Sequence, residues 1–109
     1  MKITKKELIN DLESFKGKKQ YYLSMFNNNI QDILDTLEFV NDSDREEHIS
    51  NNSRIIENVE VKNNGFKINT SNYYFKGKTN IYKIEHNNYI YHILHDFEHN
   101  NIMIYEVLI

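Results

Sequence analysis

The stretch IYKIEHNNYIYHIL, residues 81–94, decides the fold. On either side of Asn87-Asn88 it is rich in β-branched and aromatic residues that alternate with polar ones, the period of a strand. A two-residue Asn-Asn joint tolerates the positive φ angles of a type I′ turn. It therefore predicts an antiparallel hairpin that sets His86 opposite Tyr89 and Ile84 opposite Tyr91.

Outward from this hairpin the same period continues in both directions. Strand-like runs are expected at Ile55–Lys62, Phe66–Asn69, Tyr73–Lys76, Asn80–His86, Tyr89–His95 and Ile102–Leu108. The joints between them carry turn chemistry: Asn63-Asn64-Gly65, Thr70-Ser71-Asn72, Gly77, Asn87-Asn88 and Glu98–Asn101. Short joints force antiparallel neighbours, and no Pro occurs anywhere to interrupt a ladder. Residues 54–109 are thus read as an antiparallel β-meander of five or six strands.

Toward the N-terminus the period changes to that of a helix. Thr4 and Glu7 form a capping box, Ile3 and Leu8 occupy the positions of a hydrophobic staple, and Gly17 stands where a left-handed C-terminal cap is wanted. Leu8, Leu12 and Phe15, with Ile9 beside them, make the apolar stripe of a helix over roughly 5–16. A second helix is expected over roughly 19–40, where Leu23, Phe26, Ile30, Ile33, Leu34, Leu37 and Val40 recur at helical spacing; the run Asn27-Asn28-Asn29 has poor helix propensity and is a candidate break. Residues 41–53, NDSDREEHISNNS, read as a polar connection, the segment expected to be most mobile. The expectation is one α+β domain spanning 1–109: a helical part (1–40), the connection (41–53) and an antiparallel sheet (54–109) with the helices packed over one face.

A chain of 109 residues is long enough for one core and too short for two. A hydrophobic fraction of 39% and an aromatic fraction of 13% argue against disorder. No stretch approaches the roughly 20 apolar residues that span a bilayer. Together with an N-terminus lacking the apolar core of a signal peptide, that makes a cytoplasmic location the expectation. The absence of Cys removes thiol nucleophiles and thiolate metal sites. The seventeen Asn residues, placed as punctuation between periodic segments, read as turns and as the mark of an AT-rich coding sequence.

Charge is segmented. Residues 1–22 carry a net of +3, residues 23–60 a net of −7 and residues 61–109 a net of +1, giving −3 overall. Asp32, Asp35, Glu38, Asp42, Asp44, Glu46 and Glu47 form an acidic belt within sixteen residues. The Lys-rich patch of Lys2, Lys5, Lys6, Lys16, Lys18 and Lys19, with Tyr21-Tyr22 or Tyr73-Tyr74-Phe75 as stacking platforms, offers a nucleic-acid reading. An acidic protein with two Arg in all weighs against direct nucleic-acid binding.

The cluster His92, His95, Asp96 and His99 would share one face of a helix and hold zinc there. On a strand, which the hairpin favours, His92 and His95 point to opposite faces and no metal site forms. An acid–base ribonuclease using two of His86, His92, His95 and His99 beside Lys78 or Lys83 is the enzymatic alternative. Toxins of the RelE type share the helices-beside-a-sheet architecture, although those normally begin with a strand and are basic. Isolated Gly17, Gly65 and Gly77 make no phosphate loop. No catalytic residue, cofactor or metal is assigned.

What is left is surface. A row of carboxylates imitates a phosphate backbone, and exposed Tyr is a favoured interface anchor. The expected function is a small non-enzymatic binding or inhibitor protein that docks on another protein, with the acidic belt, Tyr73 and Tyr74 as contact residues. By analogy of architecture with uracil-glycosylase inhibitors and several anti-CRISPR proteins, the partner is expected to be a nucleic-acid enzyme. A third class, self-association through an open edge at the apolar run Ile102–Ile109, follows from the tendency of uncovered edges to pair.

Overall fold

The computed structural model describes residues 1–26, 31, 53–75, 78–86 and 88–108, with side chains for all of these except 23–26, 86 and 108. In chain order the elements are β1 (Lys2–Ile3), α1 (Lys5–Ser14), β2 (Lys19–Phe26), β3 (Arg54–Ile55), β4 (Val59–Lys62), β5 (Gly65–Ile68), β6 (Ser71–Tyr74), β7 (Thr79–His86), β8 (Tyr89–Asp96) and β9 (Asn101–Leu108). The described strands form two antiparallel sheets, one of six strands in the order β1-β7-β8-β9-β2-β3 and one of three in the order β4-β5-β6. The class is α+β, as expected. The single meander is replaced by two sheets.

The β7–β8 hairpin forms with His86 opposite Tyr89 and Ile84 opposite Tyr91. Asn88 takes φ 68°, and Asn69 and Asn100 take φ 55° and 52° at two other joints, the left-handed conformation that Asn tolerates better than most residues. The joint expected at Thr70-Ser71-Asn72 sits earlier, at Asn69-Thr70, so that Ser71 already pairs with Ile68.

Helix α1 starts where its sequence predicts. The Thr4 hydroxyl accepts from the Glu7 amide at 3.1 Å, which satisfies one of the four free amides of the first turn. Ile3 and Leu8, the staple positions, are both buried in one core cluster. Gly17 has φ 89°, and its amide donates to the Ile56 carbonyl at 2.8 Å rather than back to the helix.

Lys19–Phe26 overturns the start of the second expected helix: it is a strand, β2. The leucine and phenylalanine spacing there is helical, but Tyr21, Leu23 and Met25 also alternate with period two, and adjacent tyrosines favour a pleated surface. Tertiary pairing decides between the two patterns. β2 runs in continuous register along β9 from Gln20↔Val107 to Phe26↔Asn101. The remainder of that expected helix, 27–40, and the connection 41–52 lie outside the described residues, apart from Gln31, which is helical.

The expected strand Ile55–Lys62 is split because the chain leaves one sheet for the other. Arg54–Ile55 pairs with β2 and Val59–Lys62 with β5. At the crossing, the Ile56 amide donates to the Lys18 carbonyl at 2.9 Å. The Asn69 side chain spans the break: its Oδ1 accepts from the Glu57 and Asn58 amides at 2.8 and 3.1 Å, and its Nδ2 donates to the Ile55 carbonyl at 2.9 Å.

Alternate residues of β8 face two separate cores. Ile90 and Leu94 join Ile81, Tyr105 and Val107 beneath Leu8, Leu12 and Phe15 of α1 and Phe66 and Ile68 of the small sheet. Tyr89, Tyr91 and Ile93 join Ile102 and Ile104 on the opposite face. Burial of each large apolar side chain stabilises by about 2 kcal/mol. The C-terminal run, considered above as an open edge, is β9, paired on both sides by β8 and β2. Among the described residues the outermost strands of the large sheet are the two-residue β1 and β3, which pair with Ile81–Tyr82 of β7 and Lys19–Gln20 of β2.

Because Asn69 combines three side-chain hydrogen bonds with a positive φ, Asn69→Ala should cost about 2 kcal/mol, read as a lowered urea midpoint. Asn69→Gly, which removes the bonds and keeps the backbone conformation, should lie between the variant and the parent.

Candidate functional site

Of the surface residues expected to meet a partner, Tyr73 and Tyr74 are consecutive on β6 and so point to opposite faces. Tyr73 turns inward, stacked on Phe66 with ring centroids 5.3 Å apart and edge-on to Phe75 at the same distance. Burial, reinforced by the charge of Asp96, pushes its phenol up to about 12. Tyr74 turns outward and is 54% exposed. Asp32, Asp35, Glu38, Asp42, Asp44, Glu46 and Glu47 all lie outside the described residues.

The histidine segment is strand β8, which separates His92 and His95 onto opposite faces. His92 is fully enclosed and lies under α1, with its Nε2 2.9 Å from Asp11 Oδ2. The Lys83 ammonium approaches the same oxygen at 3.0 Å. Burial pulls the His92 imidazole below its ordinary value, against the hydrogen bond to Asp11. Its Nδ1 has no partner among the described residues. Both facts assign the neutral Nε2–H tautomer, donating to Asp11. For Asp11, burial raises the carboxyl, but the hydrogen bonds from His92 and Lys83 and the Lys83 charge outweigh it and hold it low. The arrangement locks helix to sheet; an enclosed imidazole has no access to a substrate.

His95 is likewise buried, and burial lowers it. Asp96 closes the β8–β9 turn: its Oδ1 accepts from the Glu98 and His99 amides at 3.2 and 3.3 Å, and its Oδ2 lies 2.8 Å from His99 Nδ1. Among the described residues no group of three or more His, Asp or Glu is placed to hold a metal ion. No helix among them is long and apolar enough to cross a membrane.

Among the described residues, two of the clefts border the small sheet. One, of about 290 Å³, lies between α1 and the β4–β5 hairpin; Lys5, Lys6 and Lys62 surround Ile9, Val61 and Phe75, with the Lys5 ammonium 4.5 Å from the Phe75 ring centre. The other, of about 320 Å³, lies between the two sheets and is lined by Gln20 and Tyr22 of β2, Arg54 of β3, Ser71 of β6, and Met103 and Tyr105 of β9. Gln20 is 2% exposed, yet its Nε2 has no hydrogen-bond partner among the described residues. A buried amide left unpaired costs about 1–3 kcal/mol, so this cleft keeps an unmet demand. The Arg54 guanidinium lies 4.6 Å over the Tyr22 ring centre and donates from Nη2 to the Ser71 hydroxyl at 3.1 Å. Tyr22 itself is 40% exposed and contacts Tyr105 with ring centroids 6.2 Å apart.

Comparison with protein-family models, with curated proteins and with solved structures finds no match to this chain. The site therefore rests on its geometry. Sequence reasoning named Tyr22 as a stacking residue but missed Gln20 and Arg54, because 19–40 was read as a helix and the strand at 54 as part of another ladder. The one signal available was that Arg54 is one of only two arginines.

The titrations at the helix–sheet contact act in one direction. Asp11 and His92 each bind a proton less readily folded than unfolded, so wherever the two states differ the unfolded chain holds more protons and stability rises with pH. The contribution is fully present above about pH 6.5, the unfolded value of histidine, and is lost as pH falls, first through His92 and then through Asp11. Urea midpoints should accordingly drop on acidification from pH 8 to pH 4. In His92→Gln the slope just below pH 6.5 should flatten without vanishing, since His95 is shifted the same way.

Proposed function

We propose that the protein is a small non-enzymatic binding protein that acts by docking on another protein. The observation that carries this reading is Tyr74, more than half exposed on the outer face of the three-stranded sheet. Register places Lys62 in the same row and Lys67 with Asn72 in the next. A large amphipathic ring held on a rigid strand loses little entropy on contact, which is why Tyr anchors interfaces so often. Among the described strands, β4 and β6 each keep one unpaired side, so a partner could also reach main-chain donors and acceptors there.

In its finer form the proposal has the protein inhibit a nucleic-acid enzyme by occupying its basic groove. That form is supported by the net charge of −7 over residues 23–60. Asp32, Asp35, Glu38, Asp42, Asp44, Glu46 and Glu47 would steer the encounter, and Tyr74 would supply the buried anchor. The competing ribonuclease reading, which takes two of His86, His92, His95 and His99 as acid and base, draws less support, since His92 and His95 are buried and the exposed His99 is engaged by Asp96.

Capture of partners from a lysate, followed by titration of the purified complex, tests the reading. Tyr74→Ala should weaken binding about tenfold or more, equivalent to about 1.4 kcal/mol. Reversing Asp32, Asp35 and Glu38 to Lys should slow association and flatten its salt dependence. Unchanged affinity in both variants would remove the proposal. RNA cleavage that disappears in the His92→Ala, His95→Ala double variant would replace it with the nuclease.

A further inference from the structure

The geometry points to the inter-sheet cleft as a binding site for a small planar anion: a ring that lies against tyrosine faces, gives an acceptor oxygen to the Gln20 amide at the floor, and presents its negative charge to Arg54. The inference is separate from the docking proposal, whose anchor Tyr74 does not line this cleft, although Asn72 borders both.

Three observations converge on it. First, Gln20 is 2% exposed and lines the cleft, and its Nε2 lacks any partner among the described residues. An amide NH2 is a double donor, so what would satisfy it is an acceptor oxygen or ring nitrogen. Second, the cation is present and oriented. Arg54 is held by the Tyr22 ring beneath it and by the Ser71 hydroxyl, and among the described residues no carboxylate pairs with it. Its planar fork carries five N–H donors, of which the Ser71 contact occupies one, and matches a carboxylate or phosphate. Third, the walls between these two polar ends are flat or soft: Tyr22, Tyr105 and Met103 supply ring faces and a polarizable thioether. A volume of about 320 Å³ lies at the small end of ligand pockets and suits one substituted ring rather than an extended chain.

The other clusters do not compete. Among the described residues that line the lysine cleft beside α1, none carries a buried unpartnered polar atom. At the Asp11–Lys83–His92 contact the unpartnered His92 Nδ1 lines neither cleft, and Asp96 with His99 serves a turn.

An aromatic carboxylate and a nucleoside monophosphate share this chemistry, and three probes separate them from a bare anion: benzoate, uridine monophosphate and inorganic phosphate. Each is titrated into the full chain, with binding read from NMR shifts of the Gln20 side-chain amide and the Arg54 guanidinium. Benzoate or uridine monophosphate should shift both groups with saturation, and whichever saturates at lower concentration identifies the source of the anion. Inorganic phosphate should bind at least tenfold more weakly. Gln20→Glu, which turns the donor into a like-charged acceptor, should abolish binding of the ring probe. Arg54→Met should weaken it at least tenfold, and because Arg54 sits at the rim it decides the matter even where Gln20→Glu fails to fold. Saturation of neither ring probe by 10 mM (about a −3 kcal/mol limit), phosphate binding as tight as either, or unaltered binding in Arg54→Met would overturn the assignment.

Discussion

Strand β8 is buried along all eight of its residues, and the rest of the molecule follows from that constraint. A strand enclosed on both faces and paired on both edges needs cover from two directions and puts a desolvation cost on each polar side chain it carries. One face is covered by α1 and the small sheet. Ile90 and Leu94 are thereby placed under Leu8 and Leu12, whose burial in turn selects the helix. The polar cost falls on His92, in the middle of that face. A neutral imidazole with a carboxylate as acceptor is the least expensive way to enclose it, and Asp11, one turn of helix away from Phe15, supplies the carboxylate. Asp11 would be costly there on its own. Lys83, opposite His92 in the ladder, compensates the charge. Helix, central strand and neighbouring strand are thus coupled through a single carboxylate oxygen.

What could be read from the sequence and what could not divide along contact distance. The β7–β8 hairpin needs only residues on either side of Asn87-Asn88, so propensity, alternation and turn chemistry all agree locally. The start of α1 is equally local, set by Thr4, Glu7, Ile3 and Leu8 within one turn. β2 is the opposite case. Its residues satisfy a helical and a strand pattern at once, and the choice is made by β9, with Gln20 pairing with Val107. Long-range pairing of that kind overrides propensity and leaves no trace in a local window. The split at Ile56–Asn58 was hidden for a related reason. The alternation continues through it, while the device that ends one ladder and starts the next is the side chain of Asn69 in a different strand.

The inter-sheet cleft inherits this non-locality. Gln20 and Tyr22 come from the strand that resembled a helix, Arg54 from the two-residue edge, Ser71 from the small sheet and Tyr105 from the C-terminal strand. No window of sequence contains more than two of them. The histidines, by contrast, drew attention because they are close in sequence, yet strand geometry separates His92 from His95 and each is absorbed into packing. Proximity along the chain was a poor guide to proximity in space.

The difference between the two kinds of buried polar group bears on where function lies. His92 presents its donor to Asp11, while its Nδ1, unpartnered among the described residues, lines neither cleft. Gln20 is almost as deeply enclosed but lines a space of about 320 Å³, bounded by a cation and aromatic rings, with its Nε2 unpartnered among the described residues. A core position of that kind, if it served stability alone, would be better filled by an apolar residue of similar shape, since replacing an unpaired amide with hydrocarbon removes a desolvation cost and loses no bond. Gln20 is also central in the ladder between β9 and β3, where a β-branched residue would suit the pleat better. Its amide is thus a local departure from what packing and propensity both prefer, and departures of that kind concentrate where a protein meets a ligand.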